Sequence, residues 1–381
     1  LFGLPFLPLT WAGFFVPLVV ENQRYDTSPL FSLRPIHATK PMQTTKGYYS
    51  KLIEGNRKPL AGDLIFSRNA TVGEVAQVAE WHPPFAMGQD VCLLRKRKAN
   101  YSTVYLQTVI KSTIIRKQLE NLMVGSTFKR VNIEQIRTFF IPFPSHEEQS
   151  AIATALSDAD ALISSLEKLL TKKRNIKQGA MQRLLEPKEG WEVKRLGDCL
   201  EKVVGGGTPS RSNKEFWEGE IPWVTVKDFA TFNPYVTQEY ITKKGLDNSA
   251  SHLIPKGVLV TPTRMGLGKA VIYNVDVSIN QDLKALFPSK NLDTLYLYFW
   301  FQKNSELIEK MGSGSTVMGI SLNELRNIDF LVPSLVEQTS IATILSDMDA
   351  EITALETKLE KYRKIKLGMM QNLLTGKIRL V

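Results

Sequence analysis

The sequence predicts an α+β protein made as a pseudo-twofold tandem repeat, with two mainly β domains joined by two long antiparallel coiled-coil helices. Three observations predict it. Sliding the 381-residue chain over itself aligns 125–185 with 314–374 without a gap, and 29 of the 61 pairs are identical. So long a period is a duplicated two-part unit and not a solenoid. Helical seams run through both copies of this repeat, and the stretch before each copy is rich in β-branched and aromatic residues.

The helix starts are the plainest local signals. Pro144-Ser145 with Glu148, and Pro333-Ser334 with Glu337, are capping boxes in which a hydroxyl and a carboxylate serve the free N–H groups of a first turn. Apolar residues then recur at steps of four and three. They are Ile152, Leu156, Ala159, Ile163, Leu166 and Leu170 in the first copy, and Ile341, Leu345, Met348, Ile352, Leu355 and Leu359 in the second. This is a coiled-coil seam. The first seam meets Lys173 and Lys177 before Ala180 and Leu184, and the second is interrupted by Lys366 between Tyr362 and Met369. Each helix is expected over about 40 residues, roughly 60 Å. Two matched seams in one chain are expected to pack on each other.

The segments before the helices read as strands broken by Gly, Pro and Asn. AGDLIFSR, EVAQVAEW and DVCLLRKR are strand candidates in the first, and EIPWVTV, GVLVTPTR, KAVIYN and DLKALF in the second. Gly62-Asp63-Leu64-Ile65 matches Gly257-Val258-Leu259-Val260, and Gln89-Asp90 matches Gln281-Asp282. The expected division is therefore 1–141 and 189–330 for the two β domains, with 142–188 and 331–381 for the helices.

Composition narrows the partners. Lys plus Arg at 48 against Asp plus Glu at 38 leaves a net charge of +10, so nucleic acid is the first partner to consider. Cys92 and Cys199 are too few for a disulfide framework or a Cys-rich zinc site, and a reducing cytoplasm is expected. The first 20 residues carry no charge, but Pro5, Pro8 and Pro17 with Gly3 and Gly13 would break a helix there. They are read as extended, partly buried chain and not a membrane span, and Leu1 in place of methionine points to a natural start elsewhere.

The paired helix starts PSHEEQSAIATALSDAD and PSLVEQTSIATILSDMD, with their shared ends GAMQRLL and GMMQNLL, resemble the specificity subunits of type I restriction and modification systems. In the second β domain, GGGTPSRSNKEFWEGEIPWVTVKDF and INQDLKALFP look like that family's target recognition domains. The first domain lacks an opening such as Trp191 to Asp198. The resemblance implies a non-enzymatic subunit that binds an asymmetric bipartite double-stranded DNA target. It implies docking of two methyltransferase (M) subunits and, in the full complex, restriction (R) subunits. Adenine would be methylated by the partner on a flipped base, with S-adenosylmethionine and ATP held only in partner subunits and no cofactor in this chain.

Candidate DNA contacts follow from residue chemistry. Arg68 and Arg264 each follow a strand, in LIFSRNATVG and VTPTRMGLGK, and a guanidinium fork reads guanine bidentately. A surface salt bridge is the alternative for both. Loop GGGTPSRSNK offers Thr208, Ser210, Arg211, Asn213 and Lys214, its glycines letting backbone approach phosphate; an ordinary polar turn is the alternative. Asn69, Gln89, Lys227 and Lys269 complete the set, and Arg95 and Arg97 belong to a cluster that is phosphate-facing or simply solvated. Gly125-Ser126-Thr127 and Gly314-Ser315-Thr316 are loops or structural turns before the last strand of each domain. The methyltransferase dock is expected near the helix starts, Glu148-Gln149 and Glu337-Gln338, and on the outer helical faces. Basic helix residues Lys172, Arg174, Lys177, Lys361, Arg363, Lys364 and Lys366 form a solvated face or touch spacer phosphates.

Motifs that imitate catalysis lack their contexts. His82-Pro83-Pro84-Phe85 has no glycine-rich methyl-donor loop before it, and Gly205-Gly206-Gly207-Thr208 and Gly266-Leu267-Gly268-Lys269 lack phosphate-loop spacing. His37, His82, His146 and His252 show no ligand spacing, so no metal is expected. A basic coiled-coil scaffold binding DNA without sequence preference is the competing class.

Overall fold

The computed structural model describes residues 15–17, 50–54, 58–69, 71–82, 84–96, 101–122, 130–312 and 319–380. In chain order the elements are β1 (Phe15–Pro17), β2 (Leu64–Ser67), β3 (Val75–Gln77), β4 (Val91–Leu94), α1 (Thr103–Lys111), α2 (Thr113–Leu122), α3 (Ile133–Arg137), β5 (Phe140–Pro142) and α4 (His146–Leu184). There follow β6 (Glu192–Arg195), β7 (Leu200–Gly205), β8 (Trp217–Val224), β9 (Glu239–Ile241), α5 (Lys243–Asp247), β10 (Leu253–Ile254), β11 (Leu259–Pro262), β12 (Val271–Ile272), β13 (Val277–Ile279) and β14 (Leu283–Pro288). Last come α6 (Thr294–Lys303), α7 (Ser305–Met311), α8 (Leu322–Arg326), β15 (Asp329–Val332) and α9 (Leu335–Leu373). The chain divides into two compact units, Leu1–Glu167 with Thr357–Val381, and Lys168–Glu356. Each unit thus holds one β-rich domain, the first part of the helix that follows it and the last part of the other helix.

In the first unit β2 is the centre of an antiparallel sheet of order β3-β2-β4, and all four residues of β2 and of β4 are buried. Leu64, Phe66, Tyr105, Val109, Ile136 and Phe139 form a core with Ile152 and Leu156 of α4 and Leu373 and Leu374 at the end of α9. A continuous apolar strand buried on both faces needs cover on both, and Ile65, Val78, Val91 and Leu93 pack together as a second, smaller cluster. Burial pushes the Cys92 thiol up to about 12, so it behaves as a small apolar side chain.

The second unit repeats this plan. Leu64 pairs with Leu94 and Gln77, and Leu259 pairs with Leu286 and Ile272, so β12-β11-β14 is the counterpart of β3-β2-β4. Antiparallel β15–β6 likewise matches β5–β1, which places Phe15–Pro17 of the uncharged leading segment where the second unit has β6. The rest of that segment lies outside the described residues. The second unit's sheet also includes β7, in the order β12-β11-β14-β7, and the unit carries another sheet of order β10-β13-β8-β9.

The seam forms as its spacing requires. Ile152, Leu156, Leu166, Leu170, Ile341, Leu345, Ile352 and Leu359 are all buried. In the second unit Lys177 of α4 reaches Asp349 of α9 at 2.6 Å, and Arg174 reaches Glu356 at 2.6 Å. In the first unit the repeat-related partners appear, with Lys366 on Asp160 and Arg363 on Glu167. Within each unit the two helix segments are therefore antiparallel. Four of the basic helix residues considered for spacer phosphates, Arg174, Lys177, Arg363 and Lys366, are engaged in these pairs; the two lysines are the less exposed and need a carboxylate most.

Burial corrects three of the four residues expected at the dock, and Glu337 alone is partly exposed. Glu148, Gln149 and Gln338 are fully buried. Gln149 accepts from the Ser102 N–H and donates to the Pro144 carbonyl, both at 2.9 Å. Gln338 accepts from the Asp293 N–H at 2.8 Å and donates to the carbonyls of Asn291 at 3.0 Å and Pro333 at 2.9 Å. Ser102 and Asp293 are the N-caps of α1 and α6, so in each unit a glutamine fastens the long helix to the domain helix. Only the hydroxyl half of each capping box forms, Ser145 accepting from the Glu148 N–H and Ser334 from the Glu337 N–H. The carboxylates are drawn elsewhere, Glu148 to Arg379 in the first unit and Glu337 to Lys188 and the Trp191 indole N–H in the second.

Gln338→Ala would leave an N–H and two carbonyls unpaired in a closed site. The expected loss is about 1–3 kcal/mol of stability, read as a lowered urea midpoint. An unchanged midpoint would show that the glutamine does not fasten the helix.

Candidate nucleic-acid interface

In both units the sheet register decides which side chain emerges at the strand end. The Arg68 N–H donates to the Asp90 carbonyl and the Thr263 N–H to the Asp282 carbonyl, each at 2.8 Å. The Val131 N–H then bonds the Arg68 carbonyl and the Ile320 N–H the Thr263 carbonyl. Arg68 is thus the counterpart of Thr263, and Asn69 the counterpart of Arg264. Both of the latter make an isolated bridge to the residue opposite, Asn69 with Arg130 and Arg264 with Gly319. Both also face equivalent aspartates. Asn69 donates to Asp90 at 3.1 Å, and the Arg264 guanidinium stands 3.8 Å from Asp282 with its side chain 61% exposed.

This corrects the parallel between Arg68 and Arg264. Arg68 is buried, and its guanidinium donates to the Gln89 carbonyl at 2.6 Å, so it cannot reach a base edge. Its chain neighbour Asn69 takes that place, because one step along a strand reverses the face. Arg95 is corrected too: it is committed to the buried Asp63 at 2.7 Å and to the Lys58 carbonyl at 2.6 Å. A buried carboxylate needs that partner, and Arg95 is structural. Gln89 is exposed beside the site. Arg97 lies outside the described residues, as do the two Gly-Ser-Thr segments.

In the second unit the other candidates gather around Arg264. The exposed Thr208 hydroxyl donates to Gln281, the residue before Asp282. Lys284 on β14 donates to the Gln281 carbonyl at 3.1 Å and lies against Gly205, and burial lowers its ammonium pKa. Exposed Lys269 lies beside Gly266, where an added Cβ would lie 3.6 Å from Lys269 and 3.8 Å from Val226. The next residue, exposed Lys227, begins the link to a second cluster, since its charge is felt by Glu239.

That cluster is built on Arg211. Its guanidinium stacks 3.8 Å from the Trp217 ring centroid and donates to Glu239 at 2.5 and 2.9 Å. The Trp217 indole donates to the Ser210 carbonyl, and Trp217 meets Trp223 edge-on. Arg211, Trp217, Glu218, Gln238, Glu239 and Tyr240 line a pocket of about 500 Å³. Ser210 shares its hydroxyl hydrogen bond with Ser212, and Lys214 is exposed. Arg211 is therefore held by an aromatic face and a carboxylate while its side chain stays 55% exposed.

The glycines of this loop serve packing. A Cβ on Gly206 would lie 1.9 Å from the Ile279 carbonyl oxygen, and one on Gly207 would lie 2.5 Å from the Ala250 backbone. The close approach they permit is to the protein's own chain. Gln281, Asp282, Asn280 and Lys284 are the site residues missed from sequence. The Gln-Asp match between the copies was their signal, since it marks the turn that faces the reading position.

A duplicated basic protein results, with two equivalent strand ends that present different polar side chains. The chain belongs to the type I restriction modification DNA specificity domain family, whose profile matches it twice, over residues 24–178 and 188–364. The chain is 27% identical over 388 residues to a putative type I restriction enzyme MjaX specificity subunit of Methanocaldococcus jannaschii, covering 94% of this chain and 89% of that one. It is 33% identical over 191 residues to the MjaIX specificity subunit of the same organism, covering 49% of this chain but only 44% of that protein. The EcoR124I/EcoR124II specificity subunit of Escherichia coli is 31% identical over 244 residues, 61% of this chain and 60% of that one. The crystal structure of a type I restriction-modification S subunit from M. genitalium shares the fold, with TM-score 0.59 at 16% identity, covering 91% of this chain and 99% of that one.

Two predictions follow from the geometry. Gly206→Ala cannot be accommodated without moving β13, and should cost the second unit about 3 kcal/mol, seen as a lower thermal midpoint. A mutant as stable as the parent would return the glycine to an open loop. Hydrogen bonds from Arg211 hold the Glu239 carboxyl below its usual range. A depressed carboxylate contributes stability above its unfolded value and loses it only as pH falls through the lowered one. The Trp217 contribution to fluorescence, isolated by subtracting a Trp217→Phe variant, should hold through the ordinary glutamate range and change below it. A change already complete within or above that range would contradict the pairing.

Proposed function

We propose that this chain selects an asymmetric bipartite double-stranded DNA target for a type I restriction-modification complex. One observation supports the reading above all. Equivalent strand ends, each backed by a Gln-Asp turn, carry Asn69 in one unit and Arg264 in the other, so a single scaffold holds two different readers. Amide groups pair with adenine and guanidinium groups with guanine in the major groove. Arg264, Thr208, Lys269 and Lys227 form the contact face of the second unit, and Asn69 and Gln89 that of the first. The net charge of +10 supplies the phosphate attraction that positions them.

In this reading the chain performs no chemistry. Two methyltransferase subunits would bind it and methylate adenine with S-adenosylmethionine, and restriction subunits using ATP would join in the full complex. The assembly would work in the cytoplasm, where DNA and both cosubstrates are present. Docking falls on residues other than Glu148, Gln149 and Gln338, which are fully buried.

Mapping methylated adenines in the source genome with and without this gene tests the function. A split motif should vanish on deletion, and an unchanged methylome would overturn the proposal. Arg264→Ala should relax recognition in one half-site only, at about 1–3 kcal/mol for a bidentate contact. Equal weakening on all sequences would make Arg264 a phosphate contact.

A further inference from the structure

Two non-glycine residues among the described ones have left-handed backbone, Glu218 and Met265. Met265, at φ 51, directly follows Arg264 and is 53% exposed. Glycine or asparagine adopts this conformation easily, whereas an unbranched apolar side chain is strained there. The position therefore carries two unfavourable features at once in the free protein, a strained backbone and a large apolar group in water.

The neighbouring chain anchors the backbone on both sides of Met265. Before it, Arg264 bridges Gly319, and the Ile320 N–H bonds the Thr263 carbonyl at 2.9 Å. After it, Leu267 is 4% exposed in the core of the second unit. Gly268 then passes so close to the start of α7 that a Cβ would lie 2.2 Å from the Ser305 carbonyl oxygen. Gly266 and Gly268 both have positive φ, at 79 and 78, which lets the turn close on these anchors. An apolar group displayed rigidly beside a guanidinium fork has a natural partner in the major groove. That is the 5-methyl group of thymine, the one apolar feature of the base edges there.

We infer that Met265 is a second specificity-determining residue, making an apolar contact to a thymine methyl next to the base that Arg264 reads. The inference rests on the DNA-reading function proposed above. Strain at Met265 is then the cost of aiming the thioether side chain outward, offset when DNA is bound.

The test uses the full chain assembled with its methyltransferase subunits, and duplexes carrying the motif mapped from the genome. Met265→Gly suits the backbone, so its thermal midpoint should equal or exceed that of the parent. Its affinity for the target should fall about fourfold, the worth of one buried methyl group, with preference lost at a single T·A pair. Met265→Leu keeps the apolar bulk and should retain most of that preference. Replacing the thymine by uracil should weaken the parent by a similar factor and leave Met265→Gly unaffected. A half-site with no T·A pair beside the position relaxed in Arg264→Ala would overturn the inference. So would a Met265→Gly complex that keeps full discrimination, or one as sensitive to uracil as the parent. If Arg264→Ala relaxes one half-site while Met265→Gly changes nothing, this inference alone fails. If neither variant changes the motif, the reading of this strand end as a DNA contact fails with it.

Discussion

A lysine on an otherwise apolar helix seam must find a carboxylate, and much of this structure follows from how Lys177 and Lys366 do so. Lys177 meets Asp349 and Lys366 meets Asp160, contacts related by the internal repeat. Sliding one helix by a heptad in one direction would place these lysines opposite Ala342 and Ala153. Sliding it in the other would bring them to Glu356 and Glu167 but would set Arg174 against Arg363. Polar seam residues thus select one antiparallel register, in the way a single polar position fixes coiled-coil pairing. The flanking Arg174–Glu356 and Arg363–Glu167 pairs are largely exposed and add little stability, but they penalise the alternatives.

Once that register is set, each long helix serves both units, and the glutamines near the helix starts become fastenings. Gln149 and Gln338 sit one residue after the glutamates that face Arg379, and Lys188 with Trp191. In each unit the domain helix, the long helix and the returning end of the other helix share one core, which includes Leu373 and Leu374 in the first and Leu184 and Leu185 in the second. A rigid base of this kind allows the strand ends to differ freely. Asn69 and Arg264 occupy equivalent bridges and face equivalent aspartates, so the side chain at this strand end can change without changing the frame.

Features encoded by local spacing were legible in the sequence. The seam and the helix starts depend on residues three, four or seven apart, the duplication on an ungapped match between 125–185 and 314–374, and the strand candidates on short β-branched runs. Features set by register were not. Arg68 and Arg264 look alike because each follows a strand, yet β2 and β11 align Leu64 with Leu259, which leaves Arg68 turned inward and Asn69 outward. Arg95 looked like part of a basic run, while its partner Asp63 lies across the sheet. Gln149 and Gln338 looked like surface residues because their burial depends on domain helices more than forty positions away. The loop glycines looked like a phosphate approach because only the fold shows that Ile279 and Ala250 fill the space beside them.

The central claim is that Asn69 and Arg264 are equivalent readers on one duplicated frame, each assigned to its own half of a split target. Photo-crosslinking measures this directly, with a benzophenone side chain placed at position 69 or at position 264 of the chain in complex with methyltransferase subunits and target duplex. The account predicts that the two positions crosslink to bases in different half-sites. Crosslinks from both positions to the same half-site, or to backbone without regard to sequence, would contradict it.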